Sequence, residues 1–241
     1  MSRLSKKPAA LHILFSVYAW LAACVFLPLF FVFFMLSLLM GYQKGYQLIR
    51  YFYVMLYLLW SPIRVSYHPD FDPNTPYVLV QNHVNLLDGF LTGRISQNPI
   101  CGLMHAWQFK IPFYGWIMRL SRGIPVDPKR RGNLQKIVRE ASLRKKEGLS
   151  IITFPEGGRT LDGNLKPFKK GVFVMAQQAE LDVVPVTVKG IYHINQKGSY
   201  LFWPHPVSVV VGKPRSLKDV DRESLQDFIS ELQDHMQSVL K

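Results

Sequence analysis

Apolar and polar positions divide the chain into two unlike parts. From Ile13 to Met40 almost every position is apolar, dominated by Leu, Phe and Val, and no residue between Lys7 and Lys44 carries a formal charge. A spanning helix needs about 20 such residues to cross about 30 Å of hydrocarbon. This run exceeds that length and has Pro28 near its middle, so it predicts either one tilted, kinked helix or a broken re-entrant hairpin. A second apolar stretch, Tyr51 to Trp60, is too short to span and is rich in Tyr and Trp, as interfacial segments are. Arg3, Lys6 and Lys7 precede the long run, while Lys44, Arg50 and Arg64 follow it. Positive charge on both sides does not orient a single span, whereas a hairpin with both ends cytoplasmic accommodates it. A cleaved signal peptide shares the basic start and apolar core and is the lesser reading. The lipoprotein-like Leu21-Ala22-Ala23-Cys24 is discounted, because the chain stays apolar after Cys24.

From Ser61 onward the period changes. Pro76 to Gln81 (PYVLVQ), Leu149 to Phe154 (LSIITF) and Val207 to Val211 (VSVVV) are short runs of the kind that form buried strands. Between them, Leu134, Ile137, Val138 and Ala141 recur at helical spacing, with Asn133 placed as a cap, Gly148 at the exit, and Lys136, Arg139 and Arg144 outside the stripe. Leu225, Phe228, Ile229, Leu232, Met236 and Val239 share one face of a final helix from about Asp221 to Leu240. Strands alternating with helices predict an α/β fold with a mixed, largely parallel sheet flanked by helices. The expected organisation is a membrane-attachment segment over 1–60 and one catalytic domain over 61–241.

Composition narrows the partners without choosing one. Lys and Arg number 29 against 16 acidic residues, a net charge of +13, which suits anionic headgroups, a phosphorylated substrate or nucleic acid. The basic residues are scattered and no recognised nucleic-acid motif appears, so nucleic-acid binding is not expected. Cys24 and Cys101 are the only cysteines, too few for a disulfide framework or a zinc ligand set, and no metal is expected.

The candidate chemistry begins where PYVLVQ runs into Asn82-His83-Val84-Asn85-Leu86-Leu87-Asp88. On a continuous helix, positions five apart lie roughly 140° apart, so His83 and Asp88 meet only if His83 precedes the helix. With Asn85 as the cap and Asp88 in the first turn, a turn at Val84 would fold His83 back. Asp88 would then accept the Nδ1 proton and leave Nε2 as base. The plainer alternative is that Asp88 merely satisfies a helix N-terminus and His83 is a polar loop residue. A second loop, Phe154-Pro155-Glu156-Gly157-Gly158-Arg159-Thr160, follows another apolar strand. Glycines let backbone N–H groups approach an anion, and Arg159 can contact phosphate in bidentate fashion. Glu156 is placed to bond a hydroxyl or to orient Arg159; alone, the loop also fits a tight turn with a surface ion pair.

The order NHxxxxD, then Arg122 to Asp127 (RGIPVD), then FPEGxR, then Val184-Pro185-Val186 resembles the glycerolipid acyltransferases, a family that includes 1-acylglycerol-3-phosphate acyltransferases. These blocks span most of the chain after the apolar segment. The resemblance implies that His83 is the base and Asp88 its orienter. It places Asn82, Glu156, Gly157, Gly158, Arg159 and Thr160 in substrate binding, with Arg122 and its neighbours contributing. It implies transfer from acyl-CoA or acyl-carrier protein to a lysophospholipid, most readily 1-acylglycerol 3-phosphate, without a cofactor. The implied location is an anionic membrane, the inner one in a bacterium, with the catalytic domain facing the cytoplasm. Two departures bear on the acceptor. Asp127 is followed by Pro128-Lys129-Arg130-Arg131 where many members have Asp-Arg, and His105 stands where members often carry lysines. Another lyso-lipid, including a lyso-aminolipid, is therefore the alternative acceptor. From a different class, the alternative is a catalytically silent, basic, membrane-anchored binding protein.

Overall fold

The structure, a computed structural model, describes residues 9–127, 129 and 132–241. Arg3, Lys6 and Lys7, and Pro128, Arg130 and Arg131 after Asp127, lie outside the described residues.

The apolar run forms one helix, α1 (Ala9–Leu38), that continues through Pro28. At about 1.5 Å per residue it is long enough to cross a bilayer. A turn at Leu39–Gly41 leads into α2 (Tyr42–Ile49), which packs back on α1, and α3 (Val54–Leu58) follows a 3-10 turn over Arg50–Tyr53. Only a narrow stripe of α1 is buried, at Ser16, Ala19, Phe34 and Ser37, while Leu14, Leu21, Val25, Leu29, Val32 and Leu36 face outward. Such a surface is tolerated in lipid far better than in water. Ala19, Tyr46, Met55, Leu56 and Leu59 join the same core cluster as Leu79, Val184 and Val209. Residues 9–60 and the residues from Ser61 onward thus differ in composition, but they share an apolar core cluster.

Seven strands make a single sheet: β1 (Ile63–Tyr67), β2 (Val78–Gln81), β3 (Ile100–His105), β4 (Ile124–Val126), β5 (Ser150–Thr153), β6 (Val183–Lys189) and β7 (Val207–Val211). Their order is β1-β7-β6-β2-β5-β3-β4. All neighbours are parallel except β6 and β7. The mixed, largely parallel α/β sheet read from the sequence is the one observed. Both faces are covered, one by α1–α3 and the segments after β2, the other by α6 (Asn133–Lys146), α7 (Lys170–Gln178) and α9 (Leu225–Leu240). The remaining helices are short: α4 (Thr92–Ile95), α5 (Tyr114–Leu120) and α8 (Ile191–Ile194).

Two local expectations are corrected. Gly132, with φ +71°, precedes α6, and Asn133 is its first residue rather than its cap. Arg144 is buried, because it lies seven residues beyond Ile137 on the same face. It is neutralised there by Glu140 at 3.0 Å and Glu147 at 3.1 Å.

In parallel sheets, sites form in the crevice beyond the carboxyl ends of the strands. Here β2 and β5 are neighbours running the same way, so the loops leaving them, at His83 and at Phe154, emerge side by side.

Candidate active site

Asn85 caps a 3-10 turn, Leu86–Leu91, with its side chain accepting from Leu87 N at 3.0 Å, and Asp88 completes a capping box. The chain enters this turn extended, so His83 folds back and its Nδ1 lies 2.8 Å from Asp88 Oδ2. The same oxygen accepts from Val84 N at 2.9 Å and Asn85 N at 3.0 Å. A carboxylate with two N–H donors already on that oxygen accepts a third, so Nδ1 carries the imidazole proton and Nε2 is the basic nitrogen. Asp88 both completes the cap and bonds the His83 ring, so the two arrangements left open by the sequence coexist in the same atoms. His83 remains partly exposed while Asp88 is 1 % exposed.

The second loop holds His83 from the other side. Glu156 Oε1 accepts from His83 N at 2.7 Å, and Glu156 Oε2 accepts from Lys166 N at 3.0 Å. Thr160 N donates to His83 O at 2.9 Å. The Phe154 ring stacks on the imidazole, with centroids 4.0 Å apart and planes 22° apart. Burial pushes the Glu156 carboxyl above the usual carboxylate range, against the lowering effect of the His83 and Lys166 backbone bonds and the nearby His83 and Lys166 charges. Both Glu156 oxygens are thus engaged by backbone N–H groups, and the first of these bonds fixes the backbone of His83.

Several residues expected at the substrate have other partners. Asn82 is 1 % exposed and both ends of its amide are bonded to Val188, Nδ2 to the carbonyl at 3.0 Å and Oδ1 to the N–H at 2.7 Å. It staples the end of β2 to β6 instead of facing ligand. The Thr160 hydroxyl donates to Asp162 Oδ1 at 2.7 Å, which holds that carboxyl down to about 2 together with Asn164. Arg122 precedes β4, at the end of the sheet opposite His83. Its guanidinium is bound to Glu147 at 3.1 Å and lies over the Tyr42 ring. The structure does not bring Arg122 together with His83: in a parallel sheet the residue before one strand and the residue after another lie at opposite edges.

Gly157, Gly158 and Arg159 remain at the catalytic edge. Gly157 has φ +71°, and the Lys169 side chain occupies the space its Cβ would need. Gly158 has open space beside it. Lys166 Nζ donates to Arg159 O at 2.7 Å, bracing the loop, and no protein acceptor among the described residues engages the Arg159 guanidinium. Sequence reasoning missed the roles of Phe154, Lys166 and the Thr160 backbone; Lys166 sits ten residues past Glu156 with no spacing signal to betray the contact. Among the described residues no cluster of His, Cys, Asp or Glu could hold a metal.

A histidine–aspartate pair thus stands beside a cationic, glycine-bearing loop at the carboxyl edge of an α/β sheet. The model of the Acyltransferase family matches residues 62–189, and the chain belongs to that family. The chain is 32% identical over 170 residues to a 1-acyl-sn-glycerol-3-phosphate acyltransferase of Saccharomyces cerevisiae, an alignment covering 69% of this chain and 56% of the relative. It is 35% identical over 145 residues to the chloroplastic 1-acyl-sn-glycerol-3-phosphate acyltransferase BAT2 of Brassica napus, covering 58% and 41%. The chain thus spans about half the length of these curated relatives. The crystal structure of the 1-acyl-sn-glycerophosphate acyltransferase PlsC from Thermotoga maritima superposes with a TM-score of 0.76 at 25% identity, covering 95% of both chains.

Proposed function

We propose that the protein moves a fatty acyl group from a thioester, acyl-CoA or acyl-carrier protein, to the free hydroxyl of 1-acylglycerol 3-phosphate, yielding phosphatidic acid. The observation that carries the reading is the 2.8 Å His83 Nδ1 to Asp88 contact, which leaves Nε2 as the base. The acceptor hydroxyl gives its proton to Nε2, its oxygen bonds to the thioester carbon, and the tetrahedral intermediate collapses by breaking the C–S bond. The imidazolium, stabilised by Asp88, returns the proton to the departing thiolate, which needs little acid assistance. Alignment and charge therefore supply most of the catalysis.

Arg159 and the open backbone at Gly158 take the acceptor's phosphate, a role supported by the open space at Gly158 and by the lack, among the described residues, of an acid on Arg159. The relatives' names favour this acceptor over another lyso-lipid. Residues 1–60 attach the enzyme to an anionic membrane, and 61–241 carry the chemistry on the cytoplasmic side, where soluble thioesters reside. Supplying purified protein with lysophosphatidic acid and each donor tests the reading: wild type should form phosphatidic acid and His83→Ala should not. Equal turnover by the two would end it.

A further inference from the structure

One apolar surface outside α1 is left largely uncovered among the described residues. After β3 ends at His105, a 3-10 turn, Ala106–Lys110, and α5, Tyr114–Leu120, form a tight pair: Gly115 sits so close to the Phe109 carbonyl that no Cβ fits. Phe109 is buried and anchors the pair, yet Trp107, Phe113 and Trp116 are 60, 61 and 50 % exposed, and Ile111, Tyr114 and Leu120 are also exposed. Phe113 holds a positive φ of +59°, a conformation that is unfavourable for an aromatic residue and turns the chain outward between the two elements. A concentration of large apolar side chains on a rigid surface indicates a docking site.

Three observations identify the occupant. Phe113 meets Phe31 of α1 edge-on at 6.0 Å, so the patch continues the apolar surface of a helix long enough to cross a bilayer. Lys110 and Arg119 are exposed at the two ends of the patch, and the tryptophans and Tyr114 are the residue types that favour the headgroup boundary. Finally, β3 runs parallel to β5 and β2, so Trp107 leaves the sheet at the edge from which His83 projects.

We propose that residues 106–120 are a second membrane-docking element, which inserts Trp107, Phe113 and Trp116 into an anionic leaflet and holds the catalytic edge against the lipid surface. The proposal rests on the membrane reading of α1 given above. α1 is packed on the sheet, so this second contact sets which edge of the sheet faces the leaflet, and a lysolipid leaving the leaflet meets His83 without crossing bulk water.

The chain has five tryptophans, so full-length variants retaining one each, the others replaced by Phe, are reconstituted in phosphatidylglycerol–phosphatidylcholine vesicles containing brominated lipid. Trp107 and Trp116 are expected to be quenched by bromolipid and shielded from aqueous acrylamide. Quenching of Trp20 in α1 without quenching of Trp107 or Trp116 overturns the docking element while sparing the membrane reading. If none is quenched, both fall. Protection of Trp116 from bromolipid and acrylamide alike means that a second copy covers the patch, which also overturns the proposal. Labelling wild-type protein with a lipid-borne carbene tests the same point without substitutions: labels are expected at 107–116, and labels confined to 9–60 refute it.

Discussion

The backbone N–H of His83 donates to the Glu156 carboxylate at 2.7 Å, joining residues 73 positions apart in the chain. With the Thr160 N–H on the His83 carbonyl, the loop after β5 holds the His83 backbone at both its N–H and its carbonyl. His83 is therefore held by two loops: the imidazole by Asp88 on its own loop, the backbone by a neighbouring one.

Asp88→Asn should lower kcat by about 10²–10⁴-fold, because an amide oxygen in place of Oδ2 holds the three N–H groups more weakly and leaves an imidazolium without its neutralising charge. Thermal denaturation should show a lower Tm as well, since the cap is weakened. His83→Ala should cost similar activity with little loss of stability. Equal melting of the two variants would argue against the dual role of Asp88.

Glu156→Gln addresses the raised carboxyl. Its folded-state pKa lies above the ordinary value of about 4.3, so folding favours the protonated form. That contribution is complete below the unfolded value and is lost as pH rises through the folded one. Glutamine lacks the titration, so the Tm difference, variant minus wild type, should grow in the variant's favour as pH rises through this window. A pH-independent difference would contradict the burial effect.

Arg159→Ala should raise KM for a phosphate-bearing acceptor by about 10–100-fold, the loss of a charge-assisted contact of about 1.5–3 kcal/mol. Hydrolysis of the thioester donor alone should change little. Steady-state kinetics with lysophosphatidic acid and an uncharged monoacylglycerol separate the two terms: only the former should suffer.

Asn82→Ala should destabilise the fold by about 2 kcal/mol, because the buried Val188 N–H and carbonyl both lose their partner. Urea denaturation measures it. A normal melting curve with a raised acceptor KM would restore Asn82 to the substrate.

Much of this site was legible because the decisive contacts are local. The turn at Val84, the cap at Asn85 and the meeting of His83 with Asp88 all follow from a seven-residue segment whose geometry is dictated by capping chemistry. VSVVV formed a strand over its expected bounds, and the stripe from Leu134 to Ala141 formed a helix. What escaped notice depends on strand order. Nothing in Pro76 to Gln81 says that β5 will lie beside it, so the grip of Glu156 and Thr160 on His83 was invisible. Arg122 was misplaced for the same reason: its edge of the sheet depends on the direction of β4, which no local pattern encodes. The three-residue β4 was itself too short to show a period.

The two amides that point at Asp88, those of Val84 and Asn85, can exchange with solvent deuterium only when that carboxylate lets them go. Their exchange rates therefore clock how often the histidine loses its alignment, and they would report, in a resting enzyme with no substrate present, the fraction of time the catalyst is ready.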